Sequence, residues 1–265
     1  RHAERVLAAS PGDPAALELR GALLNALSQH PAHSDSAALI RDRAMEDLRS
    51  AVSSDRDRAR AWAELSDLYR QEGRFEEART AARRARESDA FLINEAQYLA
   101  KAIRVATDAG QLEEALRLAR RGREHFPENA WWDGARLLAL SAAGAPRVPP
   151  DSAWSVLHRF ERMMGGPDPF ARMQVAAILA RQGLADSARA VLRRAKRSLP
   201  QQRRVFAAYY EANVSLLLGE RARALKLIRE YVEAFPDQRE YMARDIYWEP
   251  IRGDSAFRAI LAVGE

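Results

Sequence analysis

Residues 59–92 read ARAWAELSDLYRQEGRFEEARTAARRARESDAFL, and this stretch decides the fold. Trp62, Leu65 and Tyr69 recur at three- and four-residue intervals, the period of one helical face. Gly73 then breaks the pattern, and glycine closes a helix in a left-handed conformation that other residues adopt at a cost. Glu76 and Glu77 follow where the first turn of a second helix favours negative charge, and Ala78 and Ala85 keep that helix slim on one side. The segment therefore predicts two helices joined by a tight turn, with small residues where they cross.

The same pattern returns along the chain. GRFEEA (73–78), GQLEEA (110–115), GLADSA (183–188) and GERARA (219–224) each place Ala five residues after Gly. The glycines are 37, 73 and 36 residues apart, so the middle interval holds two periods. Twelve residues after each Gly stand Ala85, Gly122, Ala195 and Tyr231, and seventeen after stand Ala90, Pro127, Pro200 and Pro236. Pro after Phe, in EHFP (124–127) and EAFP (233–236), cannot continue a helix and ends each unit.

Trp62, Leu65, Tyr69, Gly73, Ala78 and Ala85 in this spacing resemble the tetratricopeptide repeat (TPR), a helix pair of about 34 residues. Further copies fall at 96–129, 169–202 and 205–238, with irregular units at 14–56 and 130–166. The first irregular unit carries Leu17, Gly21 and Leu24, then Ala44, Leu48 and Ala51, around a loop inserted from His30 to Ala38. The second carries Trp131, Trp132, Gly144 and Trp154 around APRVPPD. Pentatricopeptide and Sel1-like arrays, the near alternatives, have landmarks that these residues fit less well. The resemblance implies an all-α, right-handed α-solenoid of about six TPR-like helix pairs, with residues 1–265 forming a single superhelical domain.

The tail, Tyr247-Trp248-Glu249-Pro250-Ile251-Arg252 followed by Asp254, Phe257, Ile260 and Leu261, resembles the closing segment of TPR regions on bacterial Ser/Thr protein kinases and related signalling proteins. That implies an interaction or sensing module with its effector domain upstream of Arg1, and a chain opening on Arg rather than Met fits a fragment or processed product. On physical grounds alone, Asp254 caps a short C-terminal helix whose Phe257, Ile260 and Leu261 cover the end of the last unit.

Composition agrees with a helical array. The 265 residues are 47% hydrophobic and 30% charged, rich in Ala and Arg, with 13 Gly and 12 Pro, which excludes an all-β fold. The absence of Cys removes disulfide scaffolds, thiolate metal sites and Cys nucleophiles, and fits either side of a bacterial membrane. The longest apolar run of interest, Val175 to Ala180, is far short of the roughly 18 residues of a membrane span.

No catalytic constellation emerges, so the chain is read as no enzyme, with no metal and no cofactor. His30 and His33, near Asp35, lie in the inserted polar loop without a fourth ligand. His125 sits at a helix end, where an imidazolium suits the dipole. Ser155 and His158 lack an elbow turn and an oxyanion hole, and Gly165-Gly166-Pro167 is a turn rather than a phosphate loop. His2 is terminal.

The net charge of +5 raises nucleic acid as an alternative partner. Arg83-Arg84, Arg120-Arg121, Arg193-Arg194 and Arg229 recur at one place per repeat and would line a ridge; a solvated face with helix-dipole compensation, which needs only positive charge there, is the favoured account over a phosphate-tracking stripe. The favoured partner is a protein or peptide in the concave groove. Positions carried over from the family's groove are Arg60, Asp67, Arg70 and Arg104 in one half and Phe170, Met173, Phe206, Tyr209 and Asn213 in the other. The first set suits an acidic portion of a ligand and the second an apolar anchor, with Ile251, Phe257 and Ile260 of the tail as an internal rival for the apolar half. The Lys and Asn set with which family members clamp a C-terminal carboxylate is absent from these positions.

Overall fold

The computed structural model describes residues 2–28, 36–89, 94–142 and 144–262, and no strand occurs among them. The chain divides into two compact units, residues 1–109 and 110–265, where the repeat phase reads one continuous domain. The inserted loop with His30, His33 and Asp35, and the landmark Ala90, lie outside the described residues.

The first unit runs α1 (His2–Ala9), α2 (Pro14–Ser28), α3 (Ala37–Ser54), α4 (Ala59–Gln71), α5 (Phe75–Glu87) and α6 (Glu95–Asp108). The pair α4–α5 forms for the reason read in the sequence: Gly73 adopts φ 74°. Its N–H donates to the Arg70 carbonyl at 3.0 Å, and the N–H of Arg74 reaches back to the Tyr69 carbonyl at 2.8 Å. This is the Schellman closure, which satisfies carbonyls that the helix end would leave open. Across the turn Ala78 is wholly buried, and Leu65, Leu68 and Ala81 share one core cluster. At the α2–α3 crossing a Cβ on Gly21 would lie 2.6 Å from Leu48, so the irregular first unit also depends on a missing side chain. α1 stands ahead of the first unit that the repeat phase marks.

The second unit runs α7 (Leu112–His125), α8 (Trp131–Ser141), α9 (Pro150–Met163), α10 (Pro169–Arg181), α11 (Ala185–Arg197), α12 (Arg204–Leu217), α13 (Arg221–Ala234), α14 (Arg239–Arg244) and α15 (Ser255–Ala262), with a 3₁₀ segment at Ile246–Ile251. Gly183 and Gly219 repeat the positive φ, at 78° and 77°. The buried Ala115, Ala153, Ala188 and Ala224 occupy equivalent tight positions. Gly122 faces the buried Trp132, whose ring would lie 2.5 Å from a Cβ there, so the indole takes the space that Ala fills in the regular units.

The insertion after α8 is tied down from α10. Arg181 donates to the carbonyls of Leu140 (2.8 Å) and Ala145, and Gln182 to that of Val148. α15 behaves as read: Asp254 accepts the Ala256 N–H at 2.8 Å, and Phe257 and Ile260 are buried. Hydrophobic burial of this kind, at about 1.5–3 kcal/mol per large side chain, closes the end of the array.

Candidate functional site

The charged set read from the sequence lies in the first unit, and part of it is consumed internally. Glu64 and Asp67 of α4 both accept from the Lys101 ammonium of α6, at 3.2 Å in the first case, and Asn25 of α2 donates to Glu64 at 2.8 Å. Further along α4, Arg70 donates to Asp108 at 2.7 Å. These groups form a polar ladder across α2, α4 and α6, with Lys101 only 6% exposed. Burial raises the Asp108 carboxyl above its ordinary range, while Arg70 draws it back down. Asp67 and Arg70 are thus struts between helices rather than open ligand contacts. Arg60 and Arg104 are exposed. Sequence reasoning missed Lys101 and Asp108; the available signal was one of only three lysines in an Arg-rich chain, on a helix facing two acids.

The aromatic set lies in the second unit, and the tail occupies much of it. The Tyr209 hydroxyl donates to the Asp245 carboxylate, and its ring packs edge-on against Trp248 at 5.4 Å and Tyr247 at 5.9 Å. Burial, and then the Asp245 charge, push the Tyr209 hydroxyl well above the usual phenol range. Tyr247 continues across to α8, donating to the Leu138 carbonyl at 2.6 Å and lying 2.9 Å from the Ser141 hydroxyl. Asn213, 4% exposed, donates to the Ser141 carbonyl at 3.3 Å, and Met173 is wholly buried beside Ala176 and Ala177. Met173 and Asn213 are buried, the first in the core and the second holding α12 to α8, while Tyr209, half-buried, ties α12 to the tail. The covering residues are Asp245, Tyr247 and Trp248, where Ile251, Phe257 and Ile260 had been the expected ones.

Phe206 differs. It is 41% exposed although its ring packs against Phe170 at 5.4 Å, Tyr210 at 6.0 Å, and Tyr231 and Phe235 at 6.3 Å. The Arg203 guanidinium stands 5.8 Å over Phe170. Val205, 43% exposed, belongs to a depression of about 770 Å³ that is also lined by Leu199, Ala208 and Leu227 together with Arg204 and Glu230. An aromatic surface and a recess lined by both apolar and charged side chains thus lie side by side at the start of α12.

Among the described residues no catalytic centre assembles. His158 stacks on Trp154 at 5.9 Å, and His125 packs edge-on against Phe126. Among the described residues no three His, Cys, Asp or Glu side chains converge to hold a metal, and no helix is long and apolar enough to cross a membrane. Some outer arginines are paired: Arg84 lies 3.3 Å and Arg83 3.8 Å from Glu87, and Arg117 lies 2.6 Å from Glu114.

Residues 59–90 match the family model of the tetratricopeptide repeat, so the stretch that opened the reading is a TPR and the all-α array around it has the TPR-type fold. Among solved structures, pilF of Pseudomonas aeruginosa is 17% identical and superposes with a TM-score of 0.50, over 85% of this chain and 96% of its own. YrrB, described as a TPR protein with an unusual peptide-binding site, is 14% identical with a TM-score of 0.42, over 91% of this chain and 96% of its own. No curated protein matches the chain in sequence.

Proposed function

We propose that the chain is a non-enzymatic scaffold that binds a protein or peptide through the Phe206 surface and the adjoining recess of the second unit. One observation carries this reading: a phenylalanine lies 41% exposed within a cluster of aromatic rings. Such a patch costs solubility unless a partner covers it, and rigid aromatic anchors beside pockets usually carry most of an interface's energy. Arg60 and Arg104, exposed in the first unit, suit acidic residues of a partner. The tail's resemblance to TPR regions of bacterial Ser/Thr kinases supports placing this module in a larger signalling protein. A nucleic-acid solenoid gains no support from the comparisons, and Glu87 pairs with the ridge arginines Arg83 and Arg84.

Panning a displayed random-peptide library against the whole chain tests the proposal. Enrichment of peptides sharing an apolar anchor, lost with Phe206→Ala at unchanged melting temperature, is expected. No enrichment, or equal binding by the variant, would contradict it.

A further inference from the structure

Asp133, on the first turn of α8, is 1% exposed, and both its oxygens are taken by Arg159 of α9, at 2.7 Å from Nε and also from the terminal nitrogen. Arg123 of α7 approaches the same carboxylate at 4.0 Å. One turn further along α8 stands Arg136, half-buried, whose electrostatic neighbours are Arg159, Arg120 and the already committed Asp133. The Arg136 guanidinium itself makes no hydrogen bond or ion pair within the described residues.

Several other partly buried cations of this protein have partners. Lys101 has two carboxylates, Arg172 is bidentate to Glu161, and Arg181 donates to backbone carbonyls. Burial, then Arg159 and Arg120, lower the Arg136 pKa, but a guanidinium stays protonated in proteins. The cost is therefore held as unfavourable electrostatic energy, which an external anion would relieve.

We infer that Arg136, flanked by Arg120 and Arg159, is the centre of an anion-binding site for a carboxylate or phosphorylated side chain on an acidic stretch of a protein partner. Charge complementarity selects the ligand, and the fork of the guanidinium suits a bidentate oxyanion. A continuous polyanion fits less well, because the Asp133 carboxylate lies beside the cations and Glu114 already engages Arg117 on α7. That the anion comes from a protein rests on the scaffold reading above; the affinity for an anion does not.

The test compares wild type, Arg136→Met, Arg136→Gln and Arg193→Met by thermal melts in sulfate against chloride at matched ionic strength. Sulfate should raise the wild-type and Arg193→Met melting temperatures saturably and leave both Arg136 variants with only the non-saturating rise that sulfate gives any fold. In chloride, Arg136→Met should melt at or above wild type, since it removes a like charge from a half-buried place. A lower melting temperature for both Arg136 variants would make the residue structural, and an undiminished sulfate response in them would place the anion elsewhere; either overturns the site. A glutamate-rich peptide and a phosphoserine peptide then compete with sulfate, and the stronger competitor identifies the source. Competition by oligothymidylate and by neither peptide would keep the anion site and overturn its assignment to a protein partner.

Discussion

The Tyr209 hydroxyl donates to the Asp245 carboxylate, a bond that joins α12 to the tail lying over it. Asp245 is 3% exposed, so its charge depends on such donors, which include the Tyr247 N–H at 3.1 Å. The bond turns the tail from an appendage into the cover of the aromatic half-groove.

Tyr209→Phe leaves that buried carboxylate short of a donor and should cost about 1–3 kcal/mol in denaturant unfolding. It should also speed proteolysis within residues 239–262. Unchanged stability and unchanged cleavage would show that the tail is held by its apolar residues alone.

Repeat geometry predicts a graded series. Ala78→Leu and Ala188→Leu, at wholly buried crossings, should each destabilise by about 1–3 kcal/mol. Gly73→Val should also destabilise, because φ 74° strains a β-branched residue. Arg83→Ala, on an exposed helix face, should fall within about 0.5 kcal/mol of wild type.

The ladder of the first unit predicts a large effect and a pH signature. Lys101→Met removes the ammonium shared by Glu64 and Asp67, leaving them only Asn25 and the more distant Arg70, and should destabilise by about 3 kcal/mol. Because the folded-state pKa of Asp108 is raised, the native state binds its proton more readily than the unfolded chain. This group therefore penalises the fold above its folded pKa, and the penalty fades as pH falls toward the unfolded value near 3.8. Urea unfolding across the acid range checks the sign. Asp108→Asn should steepen the loss of stability on acidification, because it deletes a contribution that improves there.

The helix pairs were legible because each landmark states a local requirement: a left-handed glycine at 73, 183 and 219, and a methyl-sized residue at 78, 188 and 224. The open site was less legible. Helical phase places Phe206 and Tyr209 on similar sides of α12, and only the path of residues 245–251 decides that one is covered and the other exposed. Arg70 looked like a ligand contact for the same reason: its partner Asp108 is 38 residues away, beyond the reach of any periodicity. Asp133, Arg136 and Arg159 left no sequence signal beyond an acid and a base one turn apart on α8.

The central claim is that an exposed aromatic anchor on the second unit binds a protein or peptide. The most direct measurement is the Kd of a library-selected peptide for wild type and Phe206→Ala at low and high salt. The account predicts binding at least about tenfold weaker for Phe206→Ala, and wild-type affinity that changes little with salt. Equal affinity of the two proteins, or affinity that collapses with salt in the manner of phosphate binding, would contradict it.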